Sequence, residues 1–284
     1  MGPRRELSTA CRGIVREMHR PGRLSHALVA AVTIAALSMA APSAGASEPS
    51  PAMPTVAGSL TAAAGTTGAT RPVRIDLYAP GDFVSQTNLV QCVGASMQMM
   101  LNVIRPEDDR TAATQLRVFD LARSLRDVAV PAGPARPGAS AAGWARGLTA
   151  AGAGPYVLRS TATLHEALTL AASAISRTGR PVGLLVWQGA HAWVMSGFEA
   201  TGDPVVDTAA RVTAVRVLDP LYPRLVGAPW GPGPAPDARL SAAELAQVFV
   251  PYRPHGHSSA LRGRFVLVLP IDPTVVPRHH AIAA

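Results

Sequence analysis

One stretch of the sequence, residues 86–97, constrains the fold more than any other. It places Cys92 at the start of a segment in which apolar residues recur at helical spacing, and Pro106 ends that pattern. The pattern predicts an amphipathic helix with a thiol at its N-terminus. Unpaired N–H groups and the positive end of the helix dipole favour the thiolate there, and the thiolate is the nucleophilic form of cysteine.

A glutamine upstream of this helix is a candidate partner for the thiol. Gln86 lies a short loop before Cys92, so its side-chain amide can fold beside the sulfur and stabilise an oxyanion. Two other glutamines are near in sequence. Gln91 directly precedes the cysteine and would have to fold back past it, and Gln98 lies within the predicted helix. We therefore predict Gln86 as the oxyanion donor.

Two later apolar segments supply a base and a group to orient it. His191 opens a predicted strand over 191–198, and Asp219 directly follows a predicted strand over 212–218. If these strands pair as an antiparallel hairpin, the start of the first lies beside the end of the second. A histidine and a carboxylate would then meet as the base and the orienter that a thiol nucleophile needs.

The order of these motifs resembles that of papain-like cysteine peptidases, specifically the C39-like family, over roughly residues 82–269. The resemblance implies an α+β fold in which a helix bearing the cysteine packs on an antiparallel sheet bearing histidine and aspartate. It also implies Cys92 as nucleophile, His191 as base, Asp219 as orienter and Gln86 as oxyanion donor. The motifs are Gln86 with Cys92-Val93-Gly94-Ala95-Ser96, His191-Ala192-Trp193-Val194-Met195-Ser196-Gly197-Phe198 and Val215-Arg216-Val217-Leu218-Asp219-Pro220.

The chain departs from the family pattern at two places. The family usually has Cys-Gly-Pro-Ala-Ser, where this chain has Val93 and Gly94 after the cysteine, and it usually has glycine in place of Ala190. These changes leave the triad in place and concern the shape of the substrate cleft. The following sequence shows no ATP-binding motif and no membrane-spanning bundle, so transporter-fused members are a poor guide to the substrate.

The N-terminal part of the chain predicts export. Residues 1–46 combine a basic start, an apolar run over 27–41 and a small-residue cleavage pattern, which together indicate a secretory signal peptide. An uncleaved membrane anchor is the alternative. Residues 47–72 are rich in small residues and proline and predict a flexible linker, residues 73–270 a papain-like domain, and residues 271–284 a C-terminal tail.

Export gives the cysteine count a meaning. The chain has two cysteines, and Cys11 lies in the predicted signal peptide, so Cys92 is the only thiol expected in the mature protein. A leftover cysteine in an exported protein indicates a reactive thiol or intermolecular pairing, although a buried structural thiol is the simpler alternative. We predict a secreted or extracytoplasmic protein without a membrane span in the mature chain; attachment to the cell envelope is left open.

The remaining polar residues predict no further site. Asp203 and Asp207 could replace Asp219 as orienter, but they fall in the connection between the two strands, on the side away from His191. The histidine pairs at 255/257 and 279/280 have no cysteine or carboxylate at ligand spacing, so we predict no metal and no cofactor. The net charge of +8 includes no dense basic run with interleaved aromatic residues, which argues against nucleic-acid binding.

Two structural expectations concern the surroundings of the predicted site. A helix over 111–128 should bury its apolar spacing and expose its charges, while the proline-rich loop over 220–237 either walls the substrate cleft or is a bulky insertion. The predicted buried side of that helix is Leu116, Phe119, Ala122 and Leu125.

Three functions are compatible with these observations. The first is an exported cysteine peptidase that cleaves peptide or amide bonds in a peptide or protein substrate. The second is a thiol-dependent transpeptidase or amide transferase, in which an amine replaces water as acyl acceptor. The third is a catalytically silent secreted papain-like domain that binds a peptide or wall component, for which the Val93-Gly94 departure is the main support.

Overall fold

The computed structural model describes residues 71–126, 138–224, 232–253 and 259–272, all within one compact unit. These residues form seven strands and five α-helices. The strands are β1 (Val73–Asp76), β2 (Tyr156–Thr161), β3 (Val182–Val186), β4 (His191–Ala200), β5 (Val212–Leu218), β6 (Ala238–Ser241) and β7 (Phe265–Pro270). The helices are α1 (Cys92–Ile104), α2 (Ala112–Ser124), α3 (Ala141–Ala150), α4 (Leu164–Thr178) and α5 (Ala242–Leu245).

The strands make one open antiparallel sheet in the order β2-β7-β3-β4-β5-β6, and β1 pairs with β4. In the central hairpin Val186 pairs with His191, and in the next pair Val194 lies opposite Leu218. The predicted α+β class is therefore confirmed. The register also brings the start of β4 to the end of β5, as antiparallel pairing requires.

Helices cover both faces of the sheet, which explains the uninterrupted apolar run in β3. Val182, Leu184 and Val186 belong to a core shared with α4, whereas Leu185 belongs to a second core shared with α1 and α3. A strand that is buried on both faces needs apolar residues at every position rather than at alternate ones. Gly183 completes the run because a Cβ there would lie 2.5 Å from the ring of Trp144.

The cysteine helix α1 is buried almost throughout, between the sheet and α2. Ser96 ties it to the sheet, since its hydroxyl donates to the carbonyl of Ala192 at 3.2 Å. Gly94 lets α2 approach, because a Cβ there would lie 2.8 Å from Cβ of Phe119 and 2.9 Å from the carbonyl oxygen of Gln115. The glycine that departs from the family motif is thus explained by helix packing.

The prediction for α2 was partly wrong. The helix begins after Thr111, whose hydroxyl accepts from the N–H of Thr114, and it ends at Ser124 rather than near residue 128. Leu116 is 48% exposed, while Gln115 is fully buried. Phe119 and Ala122 are buried as predicted, but the apolar spacing misplaced Leu116, because at that turn α2 meets α1 and a loop through the polar side chain of Gln115.

Several sequence predictions lie outside the described residues. These are the signal peptide over 1–46, most of the linker over 47–72, most of the tail over 271–284 and the two histidine pairs. Across the part of the chain that the structure describes, no helix combines the length and the apolar character needed to cross a membrane.

Candidate active site

The thiol occupies the N-terminus of α1. Cys92 is the first residue of the helix and is half-buried. Gln91 precedes it as the N-cap residue but makes no side-chain capping bond, and the first turn carries no acidic residue. The N–H groups of the first turn and the helix dipole therefore act on the sulfur without a competing carboxylate in that turn.

The imidazole of His191 lies between the thiol and a buried carboxylate. Its Nε2 lies 2.7 Å from Oδ1 of Asp219, and Cys92 lies close enough to the same ring to raise its pKa. Because Nε2 is engaged by the carboxylate, Nδ1 is the nitrogen left for the sulfur. Asp219 is fully buried, and its Oδ1 also accepts from the backbone N–H of Leu221 at 2.8 Å, which fixes the carboxylate.

These partners decide the protonation of the ring. Burial by itself lowers the pKa of His191, but the hydrogen bonds to Asp219 and Cys92, together with the charges of both groups, raise this pKa to about 9. His191 therefore carries a proton at neutral pH. A buried imidazolium beside a carboxylate and a thiol holds a proton ready for a leaving group.

A turn with positive φ angles carries the tryptophan that stacks on the face of the imidazole. The ring of Trp187 stacks on His191 with centroids 4.6 Å apart and planes 25° from parallel. Trp187 and Gln188 both have positive φ, at 54° and 59°, which non-glycine residues rarely adopt. Gly189 follows with φ 92°, and a Cβ there would overlap the ring of Tyr252. Backbone strain of this kind concentrates at functional sites, where it fixes side chains.

Gln86 lies in the loop that leads into α1. It is 1% exposed, and its backbone N–H donates to the carbonyl of Pro220 at 2.8 Å, which ties the loop to the turn after Asp219. Its Nε2 donates one proton to the carbonyl of Asn88 at 2.6 Å. An amide nitrogen carries two protons, so this bond uses one of the two N–H groups of Gln86.

Most rivals of the predicted residues have their polar atoms bonded elsewhere. Gln98 donates to backbone carbonyls before α2, whereas Gln91 is bonded through its side-chain oxygen only, which accepts from the hydroxyl of Thr87. Asp203 and Asp207 each accept from a backbone N–H of their own connection at 2.8 Å. The structure therefore brings Cys92, His191 and Asp219 into one cluster and leaves the competing carboxylates in a distant loop.

The described part of the loop over 220–237 lies against the carboxylate of the Cys92–His191–Asp219 cluster. Gly233 sits against the carboxylate of Asp219, since a Cβ at this glycine would lie 2.4 Å from Oδ2. This segment therefore covers the carboxylate and keeps it dry. Of the two roles considered from the sequence, the described residues support a part in building the site; the stretch over 225–231 lies outside them.

Sequence reasoning missed three residues that shape this cluster. Trp187 and Gly233 act through tertiary contacts that no local pattern reveals. Gln115 holds the loop that contains Gln86, and one signal could have found it: it stands four residues before Phe119, on the same side of the helix.

Within the described ranges, no group of three or more histidine, cysteine or acidic residues is arranged to hold a metal ion. Comparisons with protein-family models, with curated proteins and with solved structures gave no match to this chain.

Proposed function

We propose that this chain is an exported cysteine peptidase, a thiol hydrolase of papain-like type that cleaves peptide or amide bonds. One observation carries the proposal: the buried imidazole of His191 lies between a thiol at a helix N-terminus and the carboxylate of Asp219, whose Oδ1 is 2.7 Å from the ring Nε2. The order of the motifs and their resemblance to C39-like peptidases support a peptide substrate. The predicted signal peptide supports export.

In the first half of the reaction, the Cys92 thiolate attacks the carbonyl carbon of the scissile bond. The carbonyl π electrons move to oxygen, and the other side-chain N–H of Gln86 with the backbone N–H of Cys92 stabilises that oxyanion. The oxyanion then collapses and the C–N bond breaks. His191 donates its proton to the leaving amine, and a thioester remains on the sulfur.

In the second half, water replaces the amine. The now neutral His191 accepts a proton from water as the oxygen attacks the thioester carbonyl, and the C–S bond breaks to release the acid and the thiolate. Asp219 holds the ring in place and compensates its charge in both halves. No step requires a metal or a cofactor, because every proton and electron pair is accounted for by the thiol, the imidazole and water.

The motif departure at Gly94 is compatible with an active site. Gly94 faces α2, where its missing side chain admits Gln115 and Phe119. The substitution relative to the family therefore acts at a helix interface and leaves Cys92 and His191 in contact. This weakens the main argument for a silent binding domain.

The test uses two reactions that depend differently on the protonation of His191: peptide cleavage, which needs the imidazolium, and alkylation of Cys92, which does not. Cleavage of a peptide library needs the imidazolium as proton donor, so turnover should fall about tenfold per pH unit above pH 9 as the ring deprotonates. Alkylation of Cys92 by iodoacetamide needs only the thiolate and should not fall over the same range. Both are measured on the purified mature protein, by fluorescence and by mass spectrometry.

The control is Cys92→Ala, which should fold like the wild type and lose turnover entirely. Turnover that survives in this variant, or wild-type turnover that keeps rising beyond pH 10, would contradict the mechanism. Accumulation of an amide product when an amine is added would show that an amine is the acyl acceptor. The function would then be that of an amide transferase and not of a hydrolase.

A further inference from the structure

The loop that carries the proposed oxyanion donor is held by hydrogen bonds to one buried side chain. Gln115 of α2 is fully buried. Its Oε1 accepts from the backbone N–H of Thr87 at 2.8 Å, and its Nε2 donates to the backbone carbonyl of Ser85 at 3.1 Å. These two bonds fall on the residues that flank Gln86. The amide of Gln115 thus binds the loop as a neighbouring strand would, with one acceptor and one donor.

The two hydrogen bonds of Gln115 fix the direction in which the side chain of Gln86 leaves the loop. The backbone N–H of Gln86 itself is held from the opposite side by the carbonyl of Pro220. All three residues over 85–87 are therefore anchored, two by Gln115 and one by the turn after the catalytic carboxylate. Oxyanion donors stabilise a transition state only when they are placed in advance, because reorganisation during the reaction would cost the energy they supply.

The reach of Gln115 depends on Gly94. The carbonyl oxygen of Gln115 would lie 2.9 Å from a Cβ at Gly94, so any larger residue there would push α2 away from α1. Gln98 supports the same arrangement from α1: its Oε1 accepts from Gln115 at 3.4 Å, and its Nε2 donates to the carbonyls of Asp109 and Thr111 before α2. Gly94, Gln98 and Gln115 therefore act together in placing α2 against α1.

We propose that Gln115 is a positioning residue for catalysis, which holds the loop over 85–87 so that Gln86 points its other side-chain N–H at the oxyanion. The inference rests on the proposed function, because it concerns the same transition state. Gln115 touches no reacting atom. It acts through Gln86 alone, and this gives the proposal a signature that a purely structural role lacks.

The experiment is a double-mutant cycle on the full mature protein. Gln115→Met is close in shape and removes both hydrogen bonds, so it should lower kcat by about 10- to 100-fold, part of the 10²–10³-fold that one oxyanion donor supplies. The KM and the rate of Cys92 alkylation should stay within about threefold, because the ion pair is untouched. In a Gln86→Ala background the same substitution should cost less than about threefold, since the group it positions is gone.

A matched control separates positioning from packing. Asn102 is a buried amide of α1 that binds the carbonyls of Asp82 and Asp109 and does not touch the loop over 85–87. Asn102→Leu should destabilise the protein but leave kcat within about threefold of wild type. If Gln115→Met does not fold, Gln115→Glu keeps the acceptor for Thr87 and should lower kcat to an intermediate degree.

The outcomes are distinguishable. An equal loss of kcat from Gln115→Met with and without Gln86 would overturn the positioning role, as would an unchanged kcat. An inert wild-type protein would overturn the proposed function and this inference with it. A loss of kcat confined to the background that retains Gln86 is the expected result.

Discussion

On one face of the sheet α4 contributes only apolar residues at its fully buried positions, whereas on the other face α1 and α2 meet across buried amides. The buried residues of α4 are Ala167, Leu168, Ala171, Ala172 and Ile175. Between α1 and α2 the buried side chains include Gln98, Asn102 and Gln115. Burial of apolar area is strong but non-directional, while hydrogen bonds are weak in net stability and specific in direction.

The difference teaches where stability and position come from in this protein. The α4 layer holds the sheet together, and its side-chain bond to a loop, from Ser173 to the carbonyl of Pro204 at 2.7 Å, goes to the β4–β5 connection and not to the loop over 85–87. In the α1–α2 layer the buried amides bind backbone groups, and one of them, Gln115, binds the loop over 85–87. Substitutions should therefore affect stability alone on the α4 side and at Asn102, and both stability and turnover where they disturb Gln115.

The largest expected effect is on the α4 side. Ile175 is fully buried, so Ile175→Ala should lower the free energy of unfolding by about 2–5 kcal/mol through lost transfer energy and the cavity it leaves. The kcat of the folded protein should not change. Urea unfolding and an activity assay well below the melting temperature measure the two quantities. A fall in kcat per folded molecule would contradict the prediction that the α4 layer affects stability alone.

An intermediate effect is expected where α1 meets α2. Gly94→Ala forces a Cβ to within 3 Å of Gln115 and Phe119, so it should destabilise by about 1–3 kcal/mol and also lower kcat by about tenfold as α2 moves away. Thermal unfolding and steady-state kinetics test both parts.

Gly147→Ala is the matched control for that prediction. It introduces the same group in α3, where the nearest atom is the flexible end of Met97 at 2.8 Å, so that side chain can move aside. Stability should change by less than about 1 kcal/mol, partly offset by the better helix propensity of alanine, and kcat should stay constant. Equal kinetic effects from the two substitutions would remove the link between α2 and the site.

The smallest effects are expected at the N-caps of the two helices. Thr163 caps α4 and Thr111 caps α2, and each hydroxyl accepts from a backbone N–H at 3.2 Å. Either alanine substitution should cost about 1 kcal/mol of stability. Only Thr111→Ala should lower kcat, by about two- to fivefold, because only α2 carries Gln115. Denaturant titration beside kinetics decides this, and an equal kcat in both variants would count against the division of roles.

The sequence predicted the elements that carry the cluster but not every face. The thiol at a helix start, the strand after His191 and the strand before Asp219 follow from periodicity and from proline and glycine positions, and all three are present. The face of α2 was right at Phe119 and Ala122 but wrong at Leu116, because the residue buried beside it, Gln115, has its partners in a loop about 30 residues earlier. Local periodicity has no information about such partners.

What the sequence determined by itself is the α+β class, the strand that carries His191 and the strand that precedes Asp219, and the set of polar residues worth following; it did not predict β6. Tertiary structure alone decided that Trp187 stacks on His191, that Gly233 covers Asp219 and that Gln115 anchors the loop of Gln86. The physical reason is the range of the interactions. Helix and strand patterns arise between residues close in sequence, whereas these contacts join segments whose neighbourhood exists only once both faces of the sheet are packed.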